Sequence, residues 1–327
     1  MRLFALTAAA LLLPSLAASQ IVTRPQITRP ITLAVVREPA LYVFDDYVTN
    51  GSKVMHYMDD FTGKAHSTEP FSGGIQGIAS DRMGNVYAAV HVGPSQPTYV
   101  MQMRKSGQFT GPLKRATAVA TDQQGRIYIT DADLGQVLRI DDLNGTNLVA
   151  FGSLGSGVGQ FKYPMGVTVD KAGHIYIADT GNDRIVRIDD MNGEGWRTFN
   201  GAAFGGQGRQ VSRPRGITVD SKGRLYYLKP GSGMVIRVDD MSGANMVSWG
   251  SNVPSPSGVF TMEPTSIAID ANDRLYLADI AAHWVTRIDD MTGANRVTLP
   301  NDTYGQLWKR PSLITVFYPR ADRTIIR

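Results

Sequence analysis

The sequence predicts an all-β chain closed into a ring of six four-stranded units, and three observations carry that expectation. A turn phrase, D-x-x-G between two short apolar runs, returns at Asp81, Asp122, Asp170 and Asp220, and as D-x-x-D at Asp270, with spacings of 41, 48, 50 and 50 residues. A second phrase, Arg-(Ile/Val)-Asp-Asp, begins at Arg139, Arg187, Arg237 and Arg287, with a looser copy, YMDDFTG, from Tyr57. Between these phrases run short β-branched or aromatic segments such as V-T-V, I-Y-I-A and R-I-V-R-I, with no helical period anywhere. Four short strands per 40 to 50 residues make one blade of a β-propeller, a ring that needs no capping units.

The elements follow in chain order. Residues 1–19 read as a secretory signal peptide: Arg2, an apolar run from Leu3 to Leu13, Pro14, then small residues Ala17, Ala18 and Ser19. The run is too short to span a bilayer, so no membrane anchor is expected, and the destination is secreted or periplasmic. Residues 20–30 form an extension and 31–327 the ring. Its six units centre on Asp59, the degenerate stretch Met103 to Gly107, Asp141, Asp189, Asp239 and Asp289. The C-terminal RPSLITVFYPRADRTIIR is similar to the early RPITLAVVREPALYVF. The tail is therefore expected to complete the first blade; a seventh blade is the alternative.

Composition narrows the functions. The 327 residues include no Cys, which leaves neither disulfides nor thiolate metal sites, and the core alone must hold a monomer together. The formal charge of +4 is scattered along the chain, not gathered into the basic stripe of a nucleic-acid binder.

Residues 151–189, FGSLGSGVGQFKYPMGVTVDKAGHIYIADTGNDRIVRID, closely resemble the NHL repeat. The Gly-rich lead ends in Gln160-Phe161, and Asn182-Asp183-Arg184-Ile185 stands at the eponymous position, where only the sixth unit keeps a middle His, His283. The resemblance implies a β-propeller, often six-bladed, but not one activity. NHL propellers include protein-binding ectodomains, RNA-binding modules and a metal-dependent amidating lyase of secreted peptides.

A ring has one central funnel, so residues recurring in every blade build scaffold and exceptions mark candidate sites. In each D-x-x-G the Asp caps the turn and the Gly closes a bulged hairpin. The second Asp of each Asp-Asp pair (Asp142, Asp190, Asp240, Asp290) is likewise a turn residue. The first faces the Arg two places back, with which it forms an outer ion pair. Exceptions stand just before the innermost strands, at Gln76, Thr117, Met165, Arg215, Thr265 and Ser312. Others stand in the loops between second and third strands. From these we expect a ligand-binding channel mouth using Arg215, Lys229, Asp179, Asp279, Trp284 and Tyr47. The expected ligand is a protein, peptide or glycan. No cofactor is required, but His91 and His283 belong to loops on that face and would be the ligands if Zn or Ca were bound. The alternative function is accordingly a secreted metal-dependent lyase or hydrolase like the amidating lyase, with Arg215 stabilising an anion.

Overall fold

A computed structural model describes residues 39–49, 52–58, 66–71, 74–91, 93, 98–201, 211–250, 263–299 and 310–317. All of these fall in the compact unit spanning residues 37–327. The expected signal peptide and extension, and the Asp59-Asp60 copy, lie outside the described residues.

The described residues form six four-stranded antiparallel sheets, each a blade with its strands ordered from the centre outward. Blade 2 comprises Ile75–Ser80, Val86–Val90, Tyr99–Gln102 and Gln108–Phe109, and blade 3 Ala116–Thr121, Ile127–Asp131, Gln136–Ile140 and Val149–Phe151. Blade 4 runs Pro164–Val169, Ile175–Asp179, Arg184–Ile188 and Arg197–Phe199. Blade 5 follows with Ile217–Val219, Leu225–Lys229, Met234–Val238 and Val247–Trp249, and blade 6 with Pro264–Ile269, Leu275–Asp279, Trp284–Ile288 and Val297–Leu299. Blade 1 is shared between the two ends of the chain. Its innermost strand is the C-terminal Pro311–Phe317, followed outward by Ala40–Thr49, Ser52–Met58 and His66–Phe71. The register sets Leu41 opposite Val316 and Val43 opposite Ile314, so the tail completes the first blade and the ring has six blades.

The core is divided among the six gaps between blades, each filled by one apolar cluster. Between blades 3 and 4, for example, Tyr128 and Val137 meet Ile175, Ile177 and Val186. Second strands are packed on both faces, which is why I-Y-I-T-D and I-Y-I-A-D are buried at every residue. Innermost strands approach closest. A Cβ on Gly166 would lie 2.0 Å from the carbonyl oxygen of Arg215 in the next blade, so only Gly fits there.

Hydroxyls stitch neighbouring blades where aliphatic packing ends. Thr117 donates to the Pro164 carbonyl at 2.6 Å, Thr180 to Pro214 at 2.6 Å and Thr265 to Ser312 at 2.8 Å. Deeper in the channel Thr121 donates to Ser80 and Ser80 to Val316, both at 2.8 Å.

Candidate functional site

The repeated carboxylates are occupied by the scaffold. Asp170 is typical: one oxygen accepts the backbone N–H groups of Ala172 and His174, at 2.9 and 3.0 Å. The other contacts the His174 ring at 2.7 Å and accepts the Tyr176 hydroxyl at 3.2 Å. Asp81, Asp122, Asp220 and Asp270 repeat this pattern, each reached by the Tyr six residues on. Burial, reinforced by the adjacent carboxylate, pushes the phenols of Tyr87, Tyr128, Tyr176 and Tyr226 up to about 12. Tyr276 moves the same way.

The Asp-Asp pairs separate as expected. Asp190 accepts the Asn192 N–H at 2.8 Å within its turn, while Asp189 pairs with Arg187 at 2.6 Å. The same ion pair stretches to 3.5 Å for Arg237–Asp239 and 4.0 Å for Arg287–Asp289. Hydrogen bonds within the turn hold the Asp142, Asp190, Asp240 and Asp290 carboxyls below the usual carboxylate range.

Asp179 and Asp279 belong to a further repeated set at the ends of second strands, with Asp45 and Asp131. They act as latches. Asp131 is fully buried and accepts four backbone N–H groups, from Lys114, Arg115, Asp133 and Leu134, at 2.6 to 3.0 Å. Asp179, also fully buried, accepts from Lys162 N–H, Asn182 and Arg184 at 2.7 to 2.8 Å. Asp279 accepts from Glu263, Ala281 and Ala282, and Asp45 from Arg310. Each ties the segment entering an innermost strand to its own blade. Burial raises the Asp279 carboxyl, opposed by its backbone donors. Their recurrence in register was the sequence signal for this role.

The six residues before the innermost strands do come together. Gln76, Thr117, Met165, Arg215, Thr265 and Ser312 line one cavity of about 340 Å³ at a mouth of the channel. Asp46, Lys53, Ile280 and Arg310 are among the further residues that line it. Arg310 stands directly before an innermost strand, so register alone could have found it. Lys53 and Asp46 form an ion pair across a hairpin.

Other expected site residues lie elsewhere. Lys229, half-buried, occupies in blade 5 the position that is a latch Asp in blades 1, 3, 4 and 6, and its carbonyl accepts the Ser232 hydroxyl at 2.8 Å. Trp284 starts the third strand of blade 6, with the Arg296 guanidinium 5.6 Å from its ring centroid. Burial lowers the Arg296 pKa. None of these three residues lines the mouth cavity. Tyr47 falls on the strand Ala40–Thr49, but its side chain lies outside the described residues.

The two histidines have local roles. His91 Nδ1 meets the Thr98 hydroxyl at 2.8 Å, and Thr98 in turn donates to the Lys114 carbonyl. His283 is exposed with φ 60°, in the turn register held by Gly135, Asp183 and Gly233 in blades 3 to 5. Among the described residues no three His, Cys, Asp or Glu side chains gather as metal ligands.

Six closed blades around a channel define a six-bladed β-propeller. The NHL repeat family model matches residues 161–188, in blade 4 and its lead, so the propeller carries an NHL repeat there. Asn182 and Arg184 explain that match physically. Asn182 donates to the Gly155 carbonyl, and Arg184 to the Ser156, Gly157 and Gln160 carbonyls, fixing the Gly-rich lead. No curated protein matches the chain. Among solved structures it is similar to a catalytically inactive virginiamycin B lyase from Staphylococcus aureus determined with quinupristin (18% identity, 80% of this chain, 74% of that chain, TM-score 0.51). It is also similar to a Bacteroides caccae protein of unknown function (12%, 85% and 98%, TM-score 0.59). A Lactobacillus plantarum protein gives 12%, 81% and 82%, with a TM-score of 0.51. At these identities the likeness is one of fold.

Proposed function

We propose that the chain is an exported binding module that holds a protein, peptide or glycan ligand at the channel mouth. One observation supports this above the others. The recurring carboxylates are used by turns and latches, whereas the residues that change from blade to blade just before the innermost strands line one concave cavity. Among the described residues its lining is aliphatic and polar, and its one carboxylate, Asp46, is paired with Lys53. Export follows from the reading of residues 1–19 as a signal peptide.

The test is an array of peptides and glycans probed with the full chain and with two mouth variants. Met165→Trp fills the cavity and Arg215→Glu reverses its charge. Both should lose at least about tenfold in affinity, roughly 1.4 kcal/mol, with unchanged melting. Val247→Ser, on the outermost strand of blade 5, should bind like the parent. Loss of binding in Val247→Ser with retention in the mouth variants would move the site off the channel. Stoichiometric metal in the purified protein, lost when His91 and His283 are both replaced by Ala, would favour the metal-dependent lyase or hydrolase instead.

A further inference from the structure

Charge at the mouth is not balanced. The charged residues lining the cavity are Lys53, Asp46, Arg215 and Arg310. Lys53 and Asp46 neutralise one another. Arg215 and Arg310 are exposed, and neither has an ion-pair partner among the described residues. Two arginines without an ion-pair partner among the described residues thus line one concave space, where low-dielectric walls strengthen their field.

Both arginines are held at the backbone. Arg310 donates its N–H to buried Asp45 at 2.9 Å, and its carbonyl accepts the Asp46 N–H at 3.0 Å. Arg215 follows Pro214, whose carbonyl accepts the buried Thr180 hydroxyl, and its own carbonyl is seated against Gly166. A ligand meeting them need order only the side chains, which lowers the entropic cost of binding.

The rest of the lining decides the ligand class. Among the described residues it includes no Phe, Tyr or Trp, the flat rings on which the C–H faces of sugars stack. It offers Ile75, Met165 and Ile280 for aliphatic contact and the exposed Gln76 amide for hydrogen bonding. A guanidinium fork matches a carboxylate with two parallel N–H···O bonds. We propose that the mouth binds a peptide through a carboxylate seated at Arg215 and Arg310. This inference rests on the reading of the mouth as the ligand site. A peptide carries carboxylates at its C-terminus and on Asp and Glu, and the experiment separates these two sources.

Three labelled hexapeptides of Ala, Ser and Thr serve as probes for fluorescence anisotropy with the full chain. One is blocked at both ends, one has a free C-terminus, and one is blocked but carries a central Glu. At least one acidic form should bind ten times more tightly than the blocked neutral peptide, and which one does so identifies the source. Its advantage should shrink severalfold as salt rises from about 0.05 to 0.5 M. Arg215→Gln and Arg310→Gln should each weaken it, and Arg215→Glu and Arg310→Glu should abolish it, with unchanged melting. Lys105→Glu, outside the cavity, should leave it intact. If all three peptides bind alike and Met165→Trp blocks them, the carboxylate is wrong and the mouth remains the site. An acidic preference indifferent to both arginines, or no peptide binding at all, overturns the inference. In the latter case the glycan array alone decides the mouth reading.

Discussion

Tyr226 and Tyr227 are adjacent on one strand and have opposite surroundings. The Tyr226 hydroxyl donates to buried Asp220 at 3.1 Å. The Tyr227 hydroxyl is fully buried between blades 4 and 5 with no partner among the described residues, and burial alone raises its pKa. Removing a buried donor from its acceptor costs about 1 kcal/mol, while removing an unpaired hydroxyl costs nothing or gains stability. Urea denaturation should therefore find Tyr226→Phe destabilised by about that amount and Tyr227→Phe as stable as the parent or more so. Equal losses would mean that Tyr227 has a partner. The Asp of D-x-x-G was legible as a turn cap from its recurrence. The Tyr six residues later recurs just as faithfully, but an aromatic in a strand already has an explanation as a β-former, which hid its hydrogen bond. Latch residues Asp179 and Asp279 show the complementary case. They stand beside variable loops, and that company outweighed their own repetition.

At the scale of the element, the Gly-rich lead before blade 4 shows how a loop is held without a core. Its short parallel ladder, Ser153–Leu154 with Gln160–Phe161, buries little besides Phe161. Order comes from Arg184, which bonds three lead carbonyls and Asp179 and stacks 5.5 Å from the Trp196 ring centroid. Arg184→Ala removes the charge partner of a fully buried carboxylate, so it should cost about 3 kcal/mol in urea denaturation. Amide hydrogen exchange over residues 153–161 should accelerate in the same variant. Unchanged exchange there would show that the lead orders itself. The N-x-R spelling was visible in the sequence, but its partners lie 24 to 28 residues away and meet it only when the blade folds. Blades 5 and 6 have Ser232 with Met234, and Ala282 with Trp284, at these two positions, so neither can copy the arginine clamp.

For the whole molecule, the repeat period and the likeness between the two ends of the sequence favoured six blades closed by the tail, and the strand register removed the alternative of a seventh. The mouth was half legible. Register assigned the positions before the innermost strands, while the loops one strand further out looked equally near on paper, which is how Lys229 and Trp284 were drawn in. Closure rests on the C-terminal strand, which buries Ile314 and Phe317 and bridges blades 2 and 6. Ending the chain before Pro311 should therefore cost more than about 5 kcal/mol, given two large buried side chains and a lost ladder. The shortened chain should lose its cooperative melting, and a separate peptide of residues 311–327 should restore it. A truncated protein that melts like the parent would show that the ring is not held by this clasp.

That clasp also sets a clock. Synthesis runs from the N-terminus, and the strand nearest the axis of blade 1 is made after every other strand of the ring. A nascent chain can stack blades 2 to 6 but must wait with blade 1 gaping, its Leu41 and Phe44 lacking the strand that lies against them in the finished ring. The ring is thus committed to its final form only once Pro311–Phe317 has been made, and its most exposed moment comes just before that.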